Sequence, residues 1–103
     1  MMIPANEVAV VLREVLSAIR PLKLADRKSW QQVAVGEVTF DANGVELVFF
    51  SDSATLDHLV SIRFPDGRKG RFADWIAADG SNPVDLLDDS ERAELEQRLL
   101  EAI

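Results

Sequence analysis

The stretch GEVTFDANGVELVFF, Gly36 to Phe50, constrains this chain more than any other. Asn43 and Gly44 both tolerate the positive φ of a tight turn, and apolar residues alternate with polar ones on either side, so the segment reads as a β-hairpin. Parity fixes its faces. A two-residue loop pairs Ala42 with Val45, Phe40 with Leu47 and Val38 with Phe49; a four-residue loop pairs Phe40 with Val45 and Val38 with Leu47. Both registers place Val38, Phe40, Leu47 and Phe49 on one face. A three-residue loop would set Phe40 opposite Glu46 and bury a carboxylate, so the odd register is rejected.

A second hairpin follows in HLVSIRFPDGRKGRFADW. Pro65-Asp66-Gly67 has the residues of a type I turn closed by a left-handed glycine. Closure between Phe64 and Arg68 pairs Ile62 with Gly70, Val60 with Phe72 and His58 with Asp74. Val60, Ile62, Phe64 and Phe72 then form the core face. On the other face Arg63 meets Lys69, Ser61 meets Arg71, and Leu59 meets Ala73.

Outside the hairpins the period changes. Val8, Val11, Leu12, Val15 and Ile19 follow helical spacing, with Pro4 suited to the first turn and Pro21 ending the run, which predicts a helix over 5–20. Residues 21–29 read as a basic loop before Trp30. After Trp75 the sequence AADGSNP reads as a loop, and Asn82-Pro83 caps a short turn through Leu87. Asp88 with Glu91 makes a capping box for a final helix carrying Leu95, Leu99 and Ala102, widened by Leu100 and Ile103. The expectation is one α+β domain over residues 1–103: a four-stranded antiparallel sheet of two hairpins, with an N-terminal and a C-terminal helix packed on it. Val33, Val35, Val48 and Phe50 fall on the outer face, so either a helix crosses that side or another subunit covers it.

Charge is laid out unevenly along the 103 residues, whose net charge is −7. Residues 29–62 carry five carboxylates and no cation, whereas residues 63–73 carry four cations and one carboxylate. An acidic tail follows, which repels nucleic acid away from the basic island. The lack of cysteine excludes disulfides, thiolate metal sites and cysteine nucleophiles. The N-terminal segment has no basic leader region, and no run approaches a membrane span, so the chain reads as soluble and cytoplasmic.

The stretch FFSDSATLDHLVSIRFPDGRKGRFADW, with the NPVDLL element after it, resembles a group of small uncharacterised proteobacterial proteins. They share a Phe-Phe, Asp-x-x-Thr-Leu-Asp, Pro-Asp-Gly-Arg and Asp-Trp pattern. The IRP end of the first helix and the SWQQV segment are similar too, so the likeness covers most of the chain. The resemblance implies one domain and the hairpin order; it carries no assigned activity.

Chemistry has few places to reside. Asp52, Asp57 and His58 lie in the linker between the hairpins, but two carboxylates and one imidazole fall short of a metal site, and Asp52 suits an Asx turn over Ser53-Ala54-Thr55. His58, the only histidine, would face Asp74 in the expected register, an arrangement open either to an acid–base dyad or to an ordinary cross-strand pair. Ser51, Ser53 and Ser61 have no strained-turn context for a nucleophile. Gly67 to Arg71 has neither the spacing of a phosphate loop nor a helix after it. Arg63, Lys69 and Arg71 share one wet face, where like charges repel unless the segment Asp85 to Glu101 or a partner's anionic surface relieves them. Nucleic acid is disfavoured because Phe64 and Phe72 are assigned to the core and only Trp75 remains for stacking.

The favoured expectation is a non-enzymatic interaction or accessory protein that binds a protein partner or a second copy through Val48 and Phe50, rimmed by Arg63, Lys69 and Arg71. No cofactor is expected. The alternatives are a small hydrolase or ligand-binding enzyme centred on His58, Asp57 and Asp74, or an acidic mimic of nucleic acid.

Overall fold

Asn43 (φ 53°) and Gly44 (φ 94°) adopt the left-handed backbone a two-residue loop demands, and Ala42 pairs with Val45, Phe40 with Leu47 and Val38 with Phe49. The computed structural model describes residues 3–53 and 55–103; Ala54, within the Asx turn expected at Asp52, lies outside them. Along the chain come α1 (Ala5–Leu16), β1 (Leu22–Leu24), a 3-10 turn (Trp30–Gln32), β2 (Val35–Ala42), β3 (Val45–Asp52), β4 (Thr55–Arg63) and β5 (Lys69–Arg71). Then follow α2 (Phe72–Asp79), a second 3-10 turn (Pro83–Leu86) and α3 (Asp89–Glu101). The class is α+β with an antiparallel sheet. That sheet has five strands rather than four, in the order β1-β2-β3-β4-β5.

The added strand is Leu22–Leu24, which sequence reading assigned to a loop. It pairs Leu22 with Ala42 and Leu24 with Phe40, turning those two leucines toward the core. The first helix stops at Leu16, short of Pro21, because Ala18 turns left-handed (φ 62°). Ile19 consequently leaves the apolar stripe and is 67% exposed.

Larger corrections concern β4 and its continuation. The Pro65-Asp66-Gly67 turn closes as expected, with Arg63 opposite Lys69, Ile62 opposite Gly70 and Ser61 opposite Arg71. The arm then ends, because Phe72 starts α2. The expected pairs Val60–Phe72 and His58–Asp74 therefore do not form, and the helix continues past Trp75 to Asp79, so that only residues 80–82 of the expected loop are loop. Against β3, strand β4 is irregular: Val48 faces Ser61, Phe49 faces Leu59, Phe50 faces His58 and Ser51 faces Leu56. Val60 and Asp57 are the extra residues of two bulges. Each resets the alternation, so Leu56, Leu59 and Ile62 are buried at intervals of three, while Val60 is only half-buried.

The core is one cluster. Val38, Phe40, Leu47, Phe49, Leu56, Leu59 and Ile62 from the sheet meet Val8, Leu12 and Val15 of α1 and Leu95 and Leu99 of α3. The helices α1 and α3 pack on each other, and α1 also packs on the Pro83–Leu86 turn, on this side of the sheet. Asp88 and Glu91 form the expected reciprocal cap of α3, and Arg13 ties α1 to it through Glu91 (Nε to Oε2 2.8 Å) and the Leu86 carbonyl (3.0 Å). Leu100 and Ile103 do not widen the stripe; Ile103 is 98% exposed.

Both sheet edges are closed off or short. The Ile3 N–H donates to the Lys69 carbonyl (3.1 Å) along β5, and the indole N–H of Trp75 donates to the Ile3 carbonyl (2.7 Å). Trp75 is thus buried against Gly70 and is not the free stacking ring expected from the sequence. Where β5 stops, the N–H and C=O of Leu59 are left without a neighbouring strand. Asn82 substitutes for one: its Oδ1 accepts from Leu59 N–H (3.0 Å) and Val84 N–H (3.1 Å), and its Nδ2 donates to the Leu59 carbonyl (2.8 Å). No helix among the described residues is long and apolar enough to cross a membrane.

Candidate functional site

With α1 and α3 on one side, the other face of the sheet holds the side chains that alternate away from the core. Cross-strand pairing arranges them in rows. The row nearest the two tight turns reads Asp41, Glu46, Arg63, Lys69; the next reads Thr39, Val48, Ser61, Arg71; the third reads Glu37, Phe50, His58. Val48 and Phe50 are half-buried, whereas Val35 at the far end is well exposed. Val33 turns partly toward the core.

The third row is an aromatic stack. The Phe50 ring lies parallel to the His58 imidazole (centroids 5.1 Å apart, planes 7° apart), and the Phe72 ring packs against the same imidazole at 4.6 Å, tilted by 48°. Phe72 reaches this position because α2 begins there, which carries its side chain away from the core; it is 39% exposed. Ile76, one turn further along α2, is also exposed and shares that helix face. Sequence alternation assigned Phe72 to the core, and the available signal was the helical spacing of Phe72, Trp75 and Ile76 before Gly80.

The bulge at Asp57 gives His58 a partner other than the one expected. Successive residues of a regular strand point to opposite faces. Here the extra residue allows Asp57 Oδ2 to lie 2.6 Å from His58 Nδ1. Asp74 pairs instead with Arg71 (3.6 Å). The imidazole is held by a carboxylate at one nitrogen and by two phenyl rings, leaving a side chain 24% exposed.

The basic hairpin is largely neutralised by nearby residues. Arg63 bonds to Glu46 across the strands (3.1 Å), and Arg68 bonds to Asp66 (2.7 Å) while lying over the Phe64 ring at 4.6 Å. The Arg68 backbone N–H, followed by its guanidinium, holds the Asp66 carboxyl below its ordinary pKa. Lys69 has no carboxylate partner among the described residues. The acidic segment after Asp85 does not supply this relief. Its ion pairs go to Arg13 (Glu91), Arg92 (Asp85) and Arg98 (Glu94).

Two clefts lie apart from the stack. One of about 160 Å³ is lined by Val15, Arg20, Leu22 and Arg98, and an open groove of about 430 Å³ runs between the two tight turns beside Asp41, Glu46, Arg63 and Phe64. His58 lines neither. Among the described residues no three His, Asp or Glu side chains are grouped as a metal ion would require.

Residues 2–101 match the family described as a domain of unknown function, DUF7693. The chain belongs to this family. The match spans almost all of the sequence and includes both hairpins, the aromatic stack and the two terminal helices. No curated protein and no solved structure matches.

Proposed function

We propose that this DUF7693 protein is a non-enzymatic interaction protein of the cytoplasm whose open sheet face, with the basic hairpin as its rim, is the binding surface. The observation that carries the reading is the Phe50–His58–Phe72 stack, half-exposed on the side of the sheet that α1 and α3 leave uncovered. Aromatic residues at the centre of a patch, bordered by charged ones, are the composition of a protein-binding surface. The alternative of catalysis at His58 draws support from the short Asp57 contact, which would orient the ring. It is weakened because His58 lines neither cleft and because two phenyl rings pack against the imidazole.

His58, as the single histidine, provides a direct test. Its rate of carbethoxylation is compared between dilute purified protein and the same protein in concentrated native lysate. Occupancy of the face slows labelling in the lysate for the wild type, and Phe50→Asp abolishes that protection. Equal rates in both settings would sink the interaction reading. Fractionation of native cells tests the location separately.

A further inference from the structure

The row of the outer face nearest the two tight turns is antisymmetric in charge about the line between β3 and β4. In the row nearest the turns, Asp41 and Glu46 lie on one side of that line and Arg63 and Lys69 on the other. In the next row Thr39 and Val48 lie across that line from Ser61 and Arg71, and in the third Glu37 and Phe50 lie across from His58 and Phe72, so Arg71 and Glu37 mirror neutral side chains. From this pattern we infer that the occupant of the face is a second copy of this chain, related by a two-fold axis parallel to the strands. The inference rests on the reading of this face as a binding surface.

The axis exchanges β2 with β5 and β3 with β4. Asp41 of each copy then faces Lys69 of the other, Glu46 faces Arg63, and Phe50 faces His58, so every charged position in the first row meets its opposite. A two-fold axis perpendicular to the strands and through the middle row lays each strand on its own copy, setting Asp41 over Glu37 and Arg71 over the Arg71 of the other copy. Like charges across an interface oppose association, so charge selects the parallel axis. Lys23, paired with Asp41 on β1, lies outside the overlap because the axis brings no strand opposite β1. Lys69, without a carboxylate of its own among the described residues, gains one from the other copy.

Size sets the strength. Four strands about 4.8 Å apart and three rows about 7 Å apart give a face on the order of 300 Å² in projection. Specific interfaces bury roughly 800 Å² of accessible surface per partner, so even with side-chain relief this one belongs at the small end of the range. The dimer is therefore concentration-dependent, dissociating in the micromolar range or above.

The test is a charge-exchange cycle followed by sedimentation equilibrium. Asp41→Lys and Lys69→Glu each place two repulsive contacts in the homodimer and weaken self-association by about tenfold. Mixing the two single variants creates a heterodimer with two attractive contacts. In one, the lysine introduced in the first variant faces the glutamate introduced in the second; in the other, the native Asp41 faces the native Lys69. Association then returns to the wild-type level. That recovery in trans also shows that both variants are folded. A wild type that stays monomeric at millimolar concentration overturns the second copy as occupant, whatever the labelling of His58 in lysate shows. Association that survives both single variants, or that fails to recover on mixing, overturns the two-fold register.

Discussion

Removing the side-chain amide of Asn82 should cost this protein a large part of its stability. Asn82 is 1% exposed, and its amide satisfies the Leu59 N–H, the Leu59 C=O and the Val84 N–H. Asn82→Ala leaves these three backbone groups without partners in a buried position. Each such loss costs about 1–3 kcal/mol, and allowing for partial relaxation the sum is about 3–5 kcal/mol. A chain of this length is stable by roughly 5–15 kcal/mol, so the variant should unfold at a much lower urea concentration with an unchanged slope. Asn82→Asp separates donor from acceptor. It keeps the acceptor for both N–H groups but sets a carboxylate oxygen against the Leu59 carbonyl, which raises the folded-state pKa of the new carboxyl. A raised carboxyl pKa favours the folded state as protons bind, so the deficit of Asn82→Asp relative to wild type should shrink as pH falls through that pKa. The assay is urea unfolding followed by far-ultraviolet circular dichroism at neutral and mildly acidic pH. An Asn82→Ala variant within about 1 kcal/mol of wild type would refute the assignment of Asn82 as a surrogate strand.

Three further expectations follow from the packing and the charges. Gly70→Ala places a Cβ 2.8 Å from the Trp75 ring, which is buried and anchored to Ile3, so it should cost about 1–3 kcal/mol and alter the near-ultraviolet dichroism; Gly67→Ala meets no atom within 4 Å, bears only the strain of φ 94°, and should leave that spectrum intact. Leu59→Ala should cost about 2–5 kcal/mol and Val60→Ala about 1 kcal/mol or less in thermal unfolding, the reverse of what strict alternation predicts. Among the described residues, three carboxyls are held below their ordinary pKa: Asp26 by the backbone N–H groups of Thr39 and Arg27, Asp66 by Arg68, and Glu91 by the Arg13 guanidinium and the Asp88 N–H. Their stabilisation is complete above the ordinary carboxylate range and is lost as pH falls through the lowered values, so the urea midpoint should drop below about pH 4, less steeply in Asp26→Asn.

Features governed by neighbours in sequence were legible in advance. The Asn43-Gly44 loop, the Pro65-Asp66-Gly67 turn, the Asn82 and Asp88 caps and the inward set Val38, Phe40, Leu47 and Phe49 depend on backbone preference and parity within a few residues. The wet placement of Arg63, Lys69 and Arg71 followed from the same parity. Features governed by another strand were not. A bulge has no residue signature in Leu56 to Ile62, so alternation carried through it assigned Leu59 to the outside and Val60 to the inside. Extending the second hairpin past Arg71 hid the helix at Phe72 and with it the place of that ring in the aromatic stack. Glu46 could be placed on the outer face, but its bond to Arg63 required the β3–β4 register, which no turn residue specifies. Three residues, Leu22 to Leu24, are too short a run to announce a strand before Phe40 and Ala42 lie beside them.

Strand β4 uses nine residues, Thr55 to Arg63, to run alongside seven of β3, Glu46 to Asp52. The surplus is housed entirely on the solvent side, where Asp57 and Val60 double the side chains that one rung of the ladder can display. Shortening the strand by either residue would leave the hydrophobic layer beneath it out of step, and loss of Asp57 would also remove the carboxylate that holds the imidazole. Any relative lacking one of these two positions must therefore present a different outer surface, even with every other residue unchanged.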